Sequence, residues 1–144
     1  MLCKLKKCKQ NENNKKYSNV LRKKNKCILV AVRLGGIGSS AKQGYVEGLG
    51  NNGEWGGICG NGFNITDANV ICNMLGFPSA IAAVTFPSAG FLYGNAPSGT
   101  NFVLDNLGCM GNESSVFDCP HSGQFNVNCK ASKISGVQCA TSKL

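Results

Sequence analysis

Six cysteines in the last four-fifths of the chain, at positions 59, 72, 109, 119, 129 and 139, constrain the fold more than any other feature. Their number is even, and none of their spacings is the Cys-x-x-Cys of zinc ribbons or thioredoxin-like redox sites, so structural disulfides are favoured over metal binding or catalysis. Spacing alone leaves every pairing open. Three more cysteines, Cys3, Cys8 and Cys27, bring the total to nine in 144 residues. That density belongs to an oxidising compartment, because a reducing glutathione pool keeps cytosolic thiols free. The three outlying cysteines are odd in number, so at least one is free or pairs with another chain.

A chain of this length holds one domain and has no room for a second core. Its 19 glycines and 15% charged residues point to short strands and turns rather than a helical bundle. The net charge of +8 is unevenly placed. Residues 1–27 hold ten Lys and Arg against one Glu, whereas residues 28–144 hold five against six acids. The first segment is also Asn-rich and without sustained period, which predicts a disordered basic tail or linker over 1–27 and a near-neutral folded domain over 28–144. The tail shows no apolar run of signal-peptide length, and no 18-residue apolar stretch occurs anywhere. The expectation is therefore a piece of a longer receptor or secreted protein, or a true start lying upstream.

From Cys27 an apolar, β-branched run reaches Leu34 and stops at Gly35-Gly36, predicting the first strand. Gly44–Leu49 and Glu54–Cys59 flank Asn51-Asn52-Gly53, a hairpin signal. Thr66 stands where an N-cap belongs, and Ala68, Val70, Ile71, Met74 and Leu75 recur at roughly helical spacing up to Gly76, predicting one helix over about 66–75. Residues 77–101 read as loop with scattered short strands, and Phe102–Leu104 and Gly136–Cys139 as two buried strands.

The residues around the cysteines carry a family resemblance. Val32-Arg33-Leu34, Gly44-Tyr45-Val46-Glu47, Glu54-Trp55-Gly56-Gly57-Ile58-Cys59, the run from Asp67 through Cys72 to Phe77, Leu104-Asp105-Asn106-Leu107-Gly108-Cys109, Gly111-Asn112-Glu113-Ser114-Ser115, Asp118-Cys119-Pro120-His121 and Gly136-Val137-Gln138-Cys139 follow one another in order. Together they resemble a scavenger receptor cysteine-rich (SRCR) domain over roughly residues 32–140. The resemblance implies a disulfide-rich α+β fold, a compact curved β-sheet of about six strands cradling one α-helix. It implies the six-cysteine (group A-like) type, with Gln43 and Phe77 where the eight-cysteine type carries its extra pair. It implies bridges Cys59–Cys129, Cys72–Cys139 and Cys109–Cys119. It also implies an extracellular or cell-surface ligand-binding module rather than an enzyme. The expected partners are polyanionic ligands, microbial surfaces or extracellular proteins. Two other readings stand beside it: a passive structural or interaction module of a larger extracellular enzyme or receptor, and polyanion or nucleic-acid binding through the basic tail.

Calcium-binding members of this family place acids just after the cysteine of the Trp-Gly-x-x-Cys motif and between the last two cysteines. Here those positions read Gly60-Asn61 and Lys130-Ala131-Ser132-Lys133-Ile134-Ser135, so the oxygen set a hard cation needs is gone and no metal or other cofactor is expected. Asp67, Asp105, Glu113 and Asp118 read as solvated or strand-capping acids. Lys130 and Lys133, with Arg33 or Lys42, are candidates to meet sulfate, phosphate or carboxylate groups without a bridging metal. Asn64-Ile65-Thr66 and Asn112-Glu113-Ser114 are N-glycosylation sequons. Gly36-Ile37-Gly38-Ser39-Ser40-Ala41 has the skeleton of a dinucleotide turn but no helix behind it. The one histidine, His121, lies near Cys119, whose sulfur is expected in a bridge and so is no thiolate. Tyr45, Trp55, Phe63, Phe77 and Phe102 read as core aromatics, thinned by Val103 and Gln124 where the family usually has Trp.

Overall fold

The computed structural model describes residues 20–23, 26–29 and 31–141. Strands β1 (Val20–Lys23) and β2 (Lys26–Leu29) pair antiparallel as a separate two-stranded sheet. Part of the segment expected to be an irregular tail is thus paired backbone, and the apolar run from Cys27 is divided between β2 and the next strand. Residues 1–19, with Cys3 and Cys8, lie outside the described residues.

The main sheet has six strands: β3 (Val32–Ser40), β4 (Gln43–Leu49), β5 (Trp55–Ile58), β6 (Ala80–Val84), β7 (Phe102–Leu104) and β8 (Gly136–Cys139). Their order is β6-β8-β4-β5-β7, with β3 also paired to β4. Every pairing is antiparallel except β5 with β7. The hairpin signal is realised in the β4–β5 turn, where Gly53 adopts φ 78° and the Gly50 N–H donates to the Glu54 carbonyl at 2.8 Å. β3 does not stop at the paired glycines. Its register shifts between Gly35 and Ser40, and an exposed bulge carries the strand on to the β3–β4 turn. Gly36, at φ 102°, makes this possible, because a side chain there would run into the Tyr93 carbonyl.

Helix α1 (Ile65–Met74) packs Ala68, Val70, Ile71 and Cys72 against Val32, Val46, Ile58, Val103, Val116 and Val137 of the core. Its N-cap is Asn64 rather than Thr66. The Asn64 Oδ1 accepts from the Thr66 and Asp67 N–H groups, and the Asp67 carboxylate accepts from the Asn64 N–H at 2.9 Å, a reciprocal capping box. At the other end the N–H of Phe77 donates to Cys72 and that of Gly76 to Asn73, so Gly76, at φ 91°, closes the helix in a Schellman turn.

A second helix, α2 (Ser88–Tyr93), lies within the stretch read as loop and strand. Only Ala89 and Tyr93, one turn apart, face the interior, where the Tyr93 hydroxyl donates to the Val137 carbonyl. Phe91 and Leu92 point outward. Two 3₁₀ turns, Val116–Asp118 and Ala131–Lys133, complete the chain's helical elements among the described residues. Among the described residues, three disulfides tie the layers together: Cys59–Cys129, Cys72–Cys139 and Cys109–Cys119.

Phe63 and Phe102 are buried, and Tyr45 and Phe77 are partly so. Trp55 departs from the core reading. It is only partly buried, outside the packed clusters, with the Arg33 guanidinium 4.3 Å above its ring.

Candidate functional site

The end of β5 and the segment 130–135 are joined so closely that they form one surface. The Gly60 N–H donates to the Lys133 carbonyl at 2.7 Å, the Ser135 N–H to the Ile58 carbonyl at 2.8 Å, and Cys59 pairs with Ile134 as an isolated bridge. The Cys59–Cys129 disulfide pins the same junction. A Cβ on Gly60 would sit 2.9 Å from the Lys133 carbonyl oxygen, so glycine is what permits this approach. The result is a shallow concavity of about 180 Å³ lined by Gly60, Asn61, Thr85, Phe86 and Lys133.

Residues 60–61 and Lys133, far apart in sequence, therefore meet here, at the positions where the family resemblance places calcium-ligating acids. No carboxylate is among the lining residues. A side-chain amide, a hydroxyl and an ammonium group suit an anion better than a hard cation, which needs several converging carboxylate or carbonyl oxygens. Lys130 and Lys133 bracket the 3₁₀ turn and both are exposed. The other two candidate cations lie elsewhere. Arg33, on β3, holds the Glu47 carboxylate at 2.6 Å while lying over Trp55. Lys42 occupies the β3–β4 turn.

The acids divide as well. Asp67 is not a solvated acid but is fully buried. One oxygen serves the Asn64 N–H and the other accepts from the Cys109 N–H at 3.0 Å. Burial pushes its carboxyl above the usual carboxylate range, the two backbone N–H donors pull it back, and Glu113 nearby adds to the rise. Asp105 is buried and accepts from the Asn106 N–H, Glu113 accepts from the N–H groups of Met110 and Gly111, and Asp118 is exposed. Glu113 also approaches Cys109 and Cys119 closely enough to suggest a three-ligand set, but both sulfurs are spent in their mutual bridge. The His121 Nδ1 accepts from the Gly123 N–H, a local turn contact. Both sequon asparagines, Asn64 and Asn112, are exposed.

Thr85 and Phe86 are site residues that no sequence signal marked. The Asp67 role was readable, since Asn64-Ile65-Thr66-Asp67 has the three-residue spacing of a capping box.

A family model described as "Scavenger receptor cysteine-rich domain" matches residues 37–140. The chain belongs to the scavenger receptor cysteine-rich family. It is similar to galectin-3-binding protein of Pongo abelii, with 37% identity over 102 residues that cover 71% of this chain and 16% of that protein. It is likewise similar to lysyl oxidase homolog 2A of Danio rerio, with 37% identity over 110 residues covering 76% of this chain and 14% of that protein. Among solved structures it resembles the dimeric form of the SRCR domain of mouse MARCO, at 36% identity and TM-score 0.57 over 68% of this chain and 86% of that one. The chain spans only 8–17% of the length of the curated relatives it matches. SRCR domains are commonly extracellular ligand-binding modules, generally non-catalytic, set within larger proteins. Among the described residues, no helix is long and apolar enough to cross a membrane.

Proposed function

We propose that this SRCR domain, of the six-cysteine type, is an extracellular recognition module that takes anionic groups of polyanions, microbial surfaces or extracellular proteins on the Lys130–Lys133 face without a bridging cation. The observation that carries this reading is the concavity in which Asn61, Thr85 and Lys133 meet with no lining carboxylate. An ammonium beside an amide and a hydroxyl offers charge-assisted donors to a sulfate or carboxylate. One such site is weak, and useful affinity would come from several copies displayed together.

The test is binding of the oxidised 144-residue chain, immobilised at high density, to a sulfated polysaccharide at physiological salt, with calcium and with chelator. The expected result is binding that survives chelation and is lost in the Lys130→Ala, Lys133→Ala variant. Binding that the double variant retains, and that falls steeply with salt, would instead assign the activity to the basic residues 1–27.

A second reading is favoured by the small share of each relative that this domain represents and by the lysyl oxidase homolog among them. Here the domain is a passive interaction module within a larger enzyme or receptor. Absence of binding by the folded, fully bridged chain to polyanions would favour this alternative.

A further inference from the structure

We infer that Asn64 and Asn112 both carry N-linked glycans, and that the two glycans share one face of the domain, lying over the exposed side chains of Ile65 and Met110. This rests on the extracellular reading above, since the modification is made in the secretory pathway.

The two sequons are 48 positions apart in the chain but are hung from one side chain. The buried Asp67 carboxylate accepts from the backbone of Asn64 at 2.9 Å through one oxygen and from the backbone of Cys109 at 3.0 Å through the other. The short turn from Cys109 to Asn112 is held in place from within, because Glu113 accepts from the Met110 N–H at 2.6 Å and the Gly111 N–H at 3.1 Å. That turn presses on the first sequon. A Cβ on Gly111 would lie 3.3 Å from the Thr66 methyl carbon. Glycine at φ 105° is therefore what lets the second sequon close on the first.

The acceptor chemistry is compatible with the fold. Asn64 uses Oδ1 for helix capping, whereas the modification forms a bond between Nδ2 and the anomeric carbon of a sugar. A lipid-linked oligosaccharide pyrophosphate supplies that sugar. Its anomeric carbon–oxygen bond breaks, the lipid pyrophosphate leaves, and Nδ2 gives up one proton. Oδ1 is untouched, so the cap survives glycosylation.

Each sequon has a large apolar side chain beside it that is open to solvent. Met110 is 83% exposed and Ile65, the middle residue of the first sequon, is 45% exposed. Saccharide rings present C–H faces that can cover such side chains while their hydroxyls stay in water. A glycan on Asn64 is rooted next to Ile65 and one on Asn112 two residues from Met110, so each can cover its apolar neighbour as a bulky, solubilising surface group.

The test uses the full chain secreted from a eukaryotic cell. Peptide-N-glycosidase treatment followed by mass spectrometry should show Asn-to-Asp conversion at both 64 and 112. Thr66→Ala and Ser114→Ala, which keep the capping asparagine and the Glu113 turn, should each remove one glycan from the secreted protein. Hydroxyl-radical footprinting should then label Met110 severalfold more slowly before deglycosylation than after it, with Phe91 on α2 unchanged. An unoccupied site at either position would overturn the inference. So would equal labelling of Met110 in the two forms, or equal protection of Phe91. Polyanion binding is measured on the same material, so missing glycans with intact binding would defeat this inference and leave the proposed function standing.

Discussion

Replacing Asp67 should reveal how much of the domain depends on one buried carboxylate. The side chain is fully buried and is the acceptor for two backbone N–H groups, one opening α1 and one in the loop that carries Cys109. In Asp67→Ala both donors lose their partner. Leaving a buried donor unmade costs about 1–3 kcal/mol. The Asn64 bond is only part-buried, so its N–H can recruit water and the sum should fall at about 2–4 kcal/mol. Asp67→Asn keeps one acceptor oxygen but turns an amide N–H₂ towards the other donor, for a loss of about 1–2 kcal/mol.

Urea unfolding of the oxidised protein measures both, with a midpoint shift on the order of 1–2 M for Asp67→Ala if the slope is about 2 kcal/mol/M. The pH dependence adds an independent sign. Burial raises the folded carboxyl above its unfolded value. The folded state then binds the proton more tightly, so this group's contribution to stability is fully present below the unfolded pKa and is lost as pH rises through the folded one. The gap between the wild type and Asp67→Asn should therefore widen as pH is lowered from neutral through that window. An Asp67→Ala variant within about 0.5 kcal/mol of the wild type, well below one unmade buried bond, would refute the reasoning. A gap that narrows in acid would refute it as well.

Three further outcomes can be checked on the same footing. Removing Cys72–Cys139 as an Ala pair should cost about 4 kcal/mol and removing Cys109–Cys119 about 3 kcal/mol, since the bridged separations are 67 and 10 residues and the chain-entropy cost grows with the logarithm of loop length. Denaturant unfolding that ranks them the other way would count against loop closure as the source. Gly36→Ala forces a side chain at φ 102° against the Tyr93 carbonyl, so α2 should detach from β3. Amide exchange across residues 88–93 should accelerate while that of α1 holds. Arg33→Lys should cost roughly 0.5–1 kcal/mol, because it loses the planar guanidinium over Trp55 and its directed Nε–H bond to Glu47, while the charge is kept. A change in Trp55 fluorescence with little change in melting temperature is the expected signature.

Strand and turn positions were largely legible because they rest on local chemistry. Asn51-Asn52-Gly53 could hardly be anything but a tight turn, and the apolar runs at 102–104 and 136–139 had the length of buried strands. Helix α2 was hidden for a physical reason. Its six residues include Gly90 and bury only Ala89 and Tyr93, while Phe91 and Leu92 face solvent, so the apolar period points the wrong way. Such a helix exists through its contact with β3, not through its own propensity. The concavity is similar. Gly60-Asn61 and Lys133 could be singled out as replaced acids, but Thr85 and Phe86 reach it only through the path of the chain after β6. Asp67 passed for a solvated acid because sequence shows a charge without showing its depth.

The position of β8 has a consequence for how the domain is made. This strand, the last among the described residues, is also an inner one: it lies between β4 and β6 and hydrogen-bonds to both. While the polypeptide is still being synthesised, β6 and the β3-β4-β5 portion are two fragments with open edges facing an empty slot. Cys59 and Cys72 wait through the emergence of 70 and 67 further residues for Cys129 and Cys139. Unpaired edges and idle thiols together are what misassociation and wrong bridging feed on. A chain cut a few residues before Gly136 would not be a slightly shorter domain. It would be two unjoined halves, and a cell's quality control should treat the loss of those few residues as loss of the whole.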